Sequence, residues 1–474
     1  MISSSPDFKE NVAAALHDPQ LQRALAGVAP GLAARRAAAR SGLPEFEALR
    51  ERGREIKNHT LAHLDAYLEE YERKVTELGG VVHYAATAQD ARDAILRICR
   101  DAGARLVTKG KSMISEEIGL NHHLEQAGLE VVETDLGEYI IQLRGETPSH
   151  IIAPAIHLTQ DQVEADFRKV HTKLPAGRML TEPAQLVAEA RQILREKFLA
   201  ADVGITGANF LIAETGTSVI VTNEGNGDLT QSLPRVHIVI ASIEKMVPTL
   251  EDVSTLVRLL ARSATGQEIS TYTTFSSGPR RAGDPDGPQA YHVVILDNGR
   301  SDLLATDFRE VLRCIRCGAC MNHCPVYQSI GGHAYGWVYP GPIGAVLTPA
   351  LIGVRGSADL PNASTFCGRC EQVCPMKIPL PGLMRAWREK DFDAGGTPLL
   401  YRAGLAAWAF FARRPRLYNL AARLGIPLLH LASRRGALHH LPVARGWTKY
   451  RDLPAPQGRT FQALWADTEA GVPR

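Results

Sequence analysis

From Ala394 to Arg451 the chain has no aspartate or glutamate, while Arg402, Arg413, Arg414, Arg416, Arg423, Arg434, Arg435, Arg445, Lys449 and Arg451 all fall within it. Charge of one sign excludes internal ion pairing there. The apolar stretches Leu405 to Phe411, Leu417 to Leu424 and Ile426 to Leu431 interleave with it. Such basic amphipathic helices dock on an acidic partner, form the solvated face of a helical cap, or rest on an anionic membrane surface. Long apolar runs are also missing. The nearest, Ala403 to Ala412, is too short to span a bilayer and is flanked by arginines. The first ten residues lack a basic segment and an apolar core, so no secretory signal is expected. A net charge of only +2 gives no global field to recruit nucleic acid. No Gly-x-Gly-x-x-Gly opens a helix after a strand, which argues against a Rossmann-type flavin or nicotinamide site, and no Walker A motif is present. At 45% hydrophobic and 22% charged, the 474 residues are ordinary for a globular protein of two or three domains.

Cysteine is scarce too, and its distribution is uneven: seven of the eight lie between 314 and 374. The first run reads Cys314-Ile-Arg-Cys317-Gly-Ala-Cys320-Met-Asn-His-Cys324-Pro325, a complete C-x2-C-x2-C-x3-C-P. The second, Cys367-Gly-Arg-Cys370-Glu-Gln-Val-Cys374-Pro375, has Ser364 where a leading cysteine would complete it. Two intervening residues let a tight loop aim successive sulfurs at one iron–sulfur cube, and Gly318, Ala319 and Gly368 let the backbone come close. The last cysteine of each run turns away to the other cluster. This assigns Cys314, Cys317, Cys320 and Cys374 to one cluster, and Cys324, Cys367 and Cys370 to a second. The second is one thiolate short. It is either 4Fe–4S with water, Ser364 or a partner's group on the fourth iron, or 3Fe–4S. Structural zinc calls for tetrahedral pairs of ligands rather than this spacing, and disulfides call for an oxidising compartment. Clustered cysteines in a chain of this size fit the cytoplasm.

Residues 1 to about 80 read as helical, ended by Gly79-Gly80, with Arg35, Arg36, Arg40, Arg50, Arg52 and Arg54 on a solvated face. Strands and helices then alternate to about 300. Strands are expected at 81–85, 105–108, 130–134, 203–206, 210–213, 218–222, 237–241 and 291–296, with helices at 88–102, 116–127, 182–200 and 253–263. The pattern predicts an α/β domain with a mostly parallel, covered sheet. Cys99 sits on the apolar side of its helix and reads as a core thiol. Three polar, glycine-bearing loops are candidates for an anion or acyl pocket: 108–113, 206–217 and 222–228. Lys109, Glu214 and Asn223 are their candidate site residues. Residues 301 to 313 read as a helix that delivers Cys314, and the Gly/Pro/aromatic stretch 335–344 reads as a lid over the clusters. His323 and His333 are expected near the clusters or on the surface rather than on iron.

Together, Thr108-Lys-Gly-Lys-Ser-Met-Ile-Ser-Glu-Glu-Ile-Gly-Leu-Asn121, Asp135-Leu-Gly-Glu-Tyr-Ile-Ile-Gln-Leu143 and Gly204-Ile-Thr-Gly-Ala-Asn-Phe-Leu-Ile-Ala-Glu-Thr-Gly216 resemble the LUD domain. With the two cysteine runs behind them, the chain resembles the lactate utilisation protein B (LutB) family over roughly residues 60 to 460. The resemblance implies a NagB/RpiA/CoA-transferase-like α/β domain (81–300) after an N-terminal helical region (1–80), then a two-cluster ferredoxin-type iron–sulfur domain (301–390) and a basic helical C-terminal domain (391–474). It implies an electron-transfer component of L-lactate oxidation to pyruvate, with LutA-like and LutC-like partner subunits and quinone as a candidate acceptor. It carries the same two cysteine sets as the spacing does, and no catalytic residue. The alternatives are a CoA-transferase- or isomerase-like catalytic domain, with Glu214 as a carboxylate nucleophile, and a cluster-bearing assembly scaffold. The expected location is the cytoplasm, with peripheral contact at the inner face of the membrane as a variant of it.

Overall fold

The computed structural model describes residues 3–357, 359–441, 445–449 and 451–469. Residues Met1–Ala394 form one compact unit and Gly395–Arg474 another. Among its described residues the first unit holds ten strands: β1 (Val81–Ala85), β2 (Leu106–Gly110), β3 (Glu130–Glu133), β4 (Val203–Gly207), β5 (Phe210–Ile212), β6 (Thr217–Thr222), β7 (Val236–Ser242), β8 (Met246–Val247), β9 (Tyr272–Ser276) and β10 (Ala290–Leu296). Six form a sheet in the order β1-β10-β7-β4-β2-β3, and every pairing in it is parallel.

Successive residues of a strand face opposite sides, so a sheet covered on both faces needs apolar residues at nearly every position. β7 shows this. Val236, Ile238 and Ile240 join a core with Ile95, Ile98 and Cys99 on one face, while Val239 and Ala241 join Tyr71, Val75 and Tyr291 on the other. Cys99 is the buried core thiol expected. Helix Ala88–Asp101 starts where expected, because Thr87 and Asp90 form a reciprocal capping box.

A second sheet, β8-β5-β6-β9, was not expected as a separate layer. Its β9 strand is half-exposed and carries little apolar signal. Other departures have local causes. The helix expected over 116–127 is broken into Met113–Glu117 and Leu120–Gln126 by Gly119 at φ 64°. The helix expected over 301–313 is instead two 3-10 turns, Ser301–Leu303 and Arg309–Arg313. Thr306 competes with a helix there: its hydroxyl donates to Leu303 O and accepts from the Phe308 N–H. Helices Leu136–Arg144 and Gln160–Val170 arise in stretches not read as regular from sequence, capped by Asp135 and Thr159.

The N-terminal helices pack into the same unit. Gly53 on helix Phe46–Ala62 sits so close to Leu259 that an added Cβ would stand 2.8 Å from its Cδ1. Ser5 donates to Tyr335 O at 2.8 Å, tying the N-terminus to the segment between the cysteine runs.

A buried ion-pair network joins the α/β core to the first cysteine loop. Arg300 and Glu117 are fully buried and doubly hydrogen-bonded, at 2.9 and 2.6 Å, and Tyr339 donates to the same carboxylate at 2.6 Å. Removing one partner strands a charge in a dry interior. Glu117→Ala is therefore expected to destabilise this unit by about 3–5 kcal/mol, read as a lowered thermal midpoint of the iron-replete protein. An unchanged midpoint would show the network to be dispensable.

Candidate iron–sulfur centre and adjoining pocket

Cys314, Cys317, Cys320 and Cys374 surround one small cavity, whose other walls include Ile151, Ile315, Ile343, Met376, Ile378 and Leu380. Among the described residues, no three thiol, imidazole or carboxylate groups converge tightly enough to hold a single metal ion. A cubane spreads its thiolates around a cage rather than a point, so this ring of sulfurs with apolar walls fits a cluster.

The two cysteine stretches fold as a backbone repeat. Arg316 and Phe366 occupy equivalent places and both have positive φ, 59° and 54°. Gly318 and Gly368 follow at 73° and 74°, each opening a short helix, Ala319–Asn322 and Arg369–Val373. A left-handed non-glycine residue costs about 1–3 kcal/mol, so its recurrence at matched positions marks a shared constraint: the loop must present its N–H groups inward. The Arg316 N–H donates to Cys314 Sγ at 3.4 Å, and the Phe366 N–H donates to Ser364 Oγ at 3.1 Å. Ser364 stands where Cys314 stands in the first run, with oxygen in place of sulfur.

Cys324, Cys367 and Cys370 make a second group, close enough for one charge to disfavour another. Burial pushes the thiols of Cys317 and Cys370 up to about 12 and also raises those of Cys320, Cys324 and Cys374. Metal loading therefore expels protons from them. Cys367 differs: it is exposed, and the Arg369 N–H and the Thr365 hydroxyl lower its pKa. Tyr335 is buried among Cys320, Cys324 and Cys370, members of both groups. The segment carrying it, with Trp337, Val338 and Tyr339, is buried in the same core as the cysteines. His323 and His333 are bonded to backbone carbonyls, of Ala319 at 2.9 Å and Thr147 at 2.7 Å.

The arginine face expected to be solvated is divided. Arg35, Arg40 and Arg52 are exposed, but Arg36 and Arg50 are buried. Arg36 donates to Val373 O at 2.6 Å, and Arg50 donates twice to Cys374 O, at 3.0 and 2.6 Å. Both clamp the end of the second cysteine run. Composition gave no sign of this, because arginines that face solvent and arginines that face a loop share one helical stretch.

A larger pocket, about 450 Å³, adjoins the first cysteine loop. It opens beyond the carboxyl ends of β2, β3, β4 and β7. The chain runs outward from β2 to β3 on one side, and from β4 to β7 and β10 on the other, so β2 and β4 flank a topological switch point, the usual crevice for a ligand in a parallel sheet. Gly207 at the end of β4 permits the close approach that shapes it, since a Cβ there would lie 2.2 Å from Lys111 O. Arg316 lines both this pocket and the sulfur cavity, and Tyr339 and Lys245 join it on the pocket side.

The loop candidates fare unequally. Lys109 lies within β2, fully buried and paired with Glu116 at 2.9 Å and Glu133 at 2.6 Å, so its charge is already satisfied. Glu214 is exposed and accepts the Leu250 N–H at 2.7 Å; it caps a helix away from the pocket and is no buried nucleophile. Asn223 does line the pocket, held by Gln267 and the Thr271 N–H. Sequence reasoning missed Lys245 and Arg316. Lys245 follows a strand with no motif around it, and Arg316 was read only as a spacer between cysteines.

Fold and site together define an α/β LUD domain followed by a 4Fe–4S dicluster domain. Family models match in that order: the LUD domain at residues 68–296, the 4Fe-4S dicluster domain at 310–378, and the C-terminal domain of lactate utilisation protein B at 393–470. A protein of Escherichia coli K12 described as an uncharacterized electron transport protein, YkgF, is 42% identical over 99% of this chain and 98% of its own length. Lactate utilization protein B of Geobacillus sp. (strain WCH70) is 43% identical over 98% of both chains, and that of Anoxybacillus flavithermus 42% over 96% of both. A solved DUF162 family protein from Deinococcus radiodurans aligns at 15% identity over 49% of this chain and 98% of that one with a TM-score of 0.28, too slight a likeness to define the fold further. The chain belongs to the lactate utilization protein B family, and its cofactors are iron–sulfur clusters.

The Arg50 clamp is open to test. Arg50→Met keeps the side-chain stem but removes both donors to Cys374 O, a loss of about 1.5–3 kcal/mol for charged hydrogen bonds. The variant is expected to fold, by far-UV circular dichroism, yet to retain less iron and acid-labile sulfide after anaerobic gel filtration. Equal iron content would show that the clamp does not hold the loop.

Proposed function

We propose that this protein is the iron–sulfur electron-transfer subunit of an L-lactate oxidation system, working with partner subunits of the same system. The observation that carries the reading is the folded repeat of the two cysteine stretches. Cys314, Cys317, Cys320 and Cys374 hold one cluster, and Cys324, Cys367 and Cys370 hold the other. Bound clusters accept and release single electrons. The chain's own residues govern where and how easily. The isoleucine walls exclude water from the first set, while inward N–H groups and the buried Arg316, Arg36 and Arg50 offset negative charge there. Cys367 places the second set at the surface, within reach of an external donor or acceptor.

Ser364 takes the fourth place in the second set. Its oxygen accepts the Phe366 N–H, the equivalent of the Arg316 N–H accepted by the leading sulfur of the first run. The C-terminal unit supports contact with a partner: helices Leu399–Ala412 and Pro415–Leu431 bury no residue, and Leu400, Trp408, Leu428 and Leu431 are exposed among arginines. The side chain of Arg445 lies outside the described residues. No helix among the described residues is long and apolar enough to cross a membrane.

Two experiments test this reading. Anaerobically purified protein, mixed with its partner subunits and L-lactate, is expected to develop electron paramagnetic resonance signals of reduced clusters, and Cys317→Ser is expected to bring lactate-dependent reduction to background. An iron-free preparation that supported full lactate oxidation would overturn the proposal. For Ser364, alanine is expected to increase the oxidised 3Fe–4S signal after brief exposure to air and cysteine to suppress it; identical spectra would exclude Ser364 as a ligand.

A further inference from the structure

Cations outnumber carboxylates in the buried network between the pocket and the first cysteine loop. Arg300, Arg316, Lys245 and Lys57 face Glu117 and Glu244, and all six are buried. Glu117 is taken by Arg300. Glu244 is shared by Arg300 and Arg316, each at 3.1 Å. Lys57 donates to the carbonyls of Glu244 and Met246. Lys245 is left over: its ammonium has no hydrogen-bond or ion-pair partner among the described residues, although the residue is only 7% exposed. Arg316 Nη1 is likewise buried without a partner. Both side chains line the 450 Å³ pocket.

A buried ammonium without a partner is costly, and beside a guanidinium with one free buried nitrogen at the same cavity it implies an anion that completes both. Charge compensation for the cluster does not explain the arrangement by itself. It accounts for cations near Cys314, which both are, but not for both of them also lining the adjoining pocket.

We propose that this pocket binds an organic carboxylate, with the acid group on Lys245 and Arg316 and the body of the molecule against Ile114, Ile152 and Leu260. The inference rests on the electron-transfer reading only for the purpose of holding an acid beside the first cluster. Of the three carboxylates that line the pocket, Glu224 is exposed and the other two are engaged elsewhere. Asp135 is paired with Lys111, and Glu138 accepts the Lys111 N–H at 3.0 Å. A carboxylate suits the anchor because two donors, a guanidinium nitrogen and an ammonium, border the same cavity, whereas the helix-start N–H groups that a phosphate would use are already taken, those of Gly137 and Glu138 by Asp135 and that of Ser115 by Ser112. The chamber is roomy. At about 30 Å³ per water it exceeds a three-carbon acid, so the anchor, not the fit of the whole cavity, selects the ligand.

The test uses the full-length, iron-replete protein under anaerobic calorimetry, with L-lactate, pyruvate and inorganic phosphate as probes. Saturable binding of either acid, not displaced by equimolar phosphate, is expected. Lys245→Met should weaken it roughly tenfold to a hundredfold without loss of iron, and Lys245→Arg should restore most of it. Ala208→Phe, which adds bulk inside the cavity and leaves the cations in place, should weaken binding even if Lys245→Met fails to fold. Acid binding should also alter the resonance line shape of the first cluster, because Arg316 borders both cavities. No saturable binding, equal affinity in a folded Lys245→Met, or displacement by phosphate would overturn the site. Lactate-driven cluster reduction without acid binding to this chain would remove the site and keep the electron-transfer reading. Acid binding that persists where lactate never reduces the clusters would keep the site and remove that reading.

Discussion

Glu244 is the hinge of this architecture. Burial would raise its pKa, yet Arg300 and Arg316 hold it at about 2, so it remains a carboxylate in a dry interior. Its two arginines come from different parts of the chain. Arg300 follows β10 of the α/β sheet, and Arg316 sits between Cys314 and Cys317. Arg300 in turn holds Glu117, which accepts from Tyr339 in the segment between the cysteine runs. One connected set of charges thus fixes the sheet, the first cysteine loop and that segment against one another. Buried ion pairs seldom add stability over apolar packing, but they demand a particular geometry of their partners. Here the geometry demanded is the position of Arg316, and so the position of the cysteine loop on which it stands.

The parts written in local chemistry were readable from the sequence. The cysteine spacing, the glycines beside it and the proline after each run describe a loop whose conformation depends on its neighbours in sequence, and that loop is present twice. The parallel sheet was readable because a strand covered on both faces must be apolar almost throughout, as β7 is. What could not be read depends on residues far apart in the chain. Arg36 and Arg50 look like any charged helical residues until the carbonyls of Val373 and Cys374 are brought beside them. Lys109 looked like a free cation beside glycine, and only the folding of Glu133 onto its flank shows that its charge is spent. Glu214 followed the same logic in reverse: a carboxylate in a polar turn was a candidate nucleophile until it proved to cap a helix.

The two cysteine groups differ in ways that give the molecule a direction. The first lies behind isoleucines, against a pocket whose wall carries the unpaired Lys245 and the free nitrogen of Arg316. The second ends at Cys367, which is exposed and whose thiolate is favoured by nearby donors rather than disfavoured by burial. Tyr335 stands among cysteines of both groups. A buried site surrounded by positive charge favours the added electron, because reduction makes the cluster more negative where opposing charge is close and screening is weak. An exposed site leaves stabilisation of that charge to solvent and to whatever docks there. The asymmetry follows from the sequence difference between the two runs. The complete run anchors to the α/β domain through Arg316, whereas the run with serine in the leading place is held at its far end by Arg36 and Arg50 and exposes Cys367 at its start. The position without a thiolate therefore falls in the half of the repeat that does not line the pocket, away from the charge network that joins the first run to the sheet.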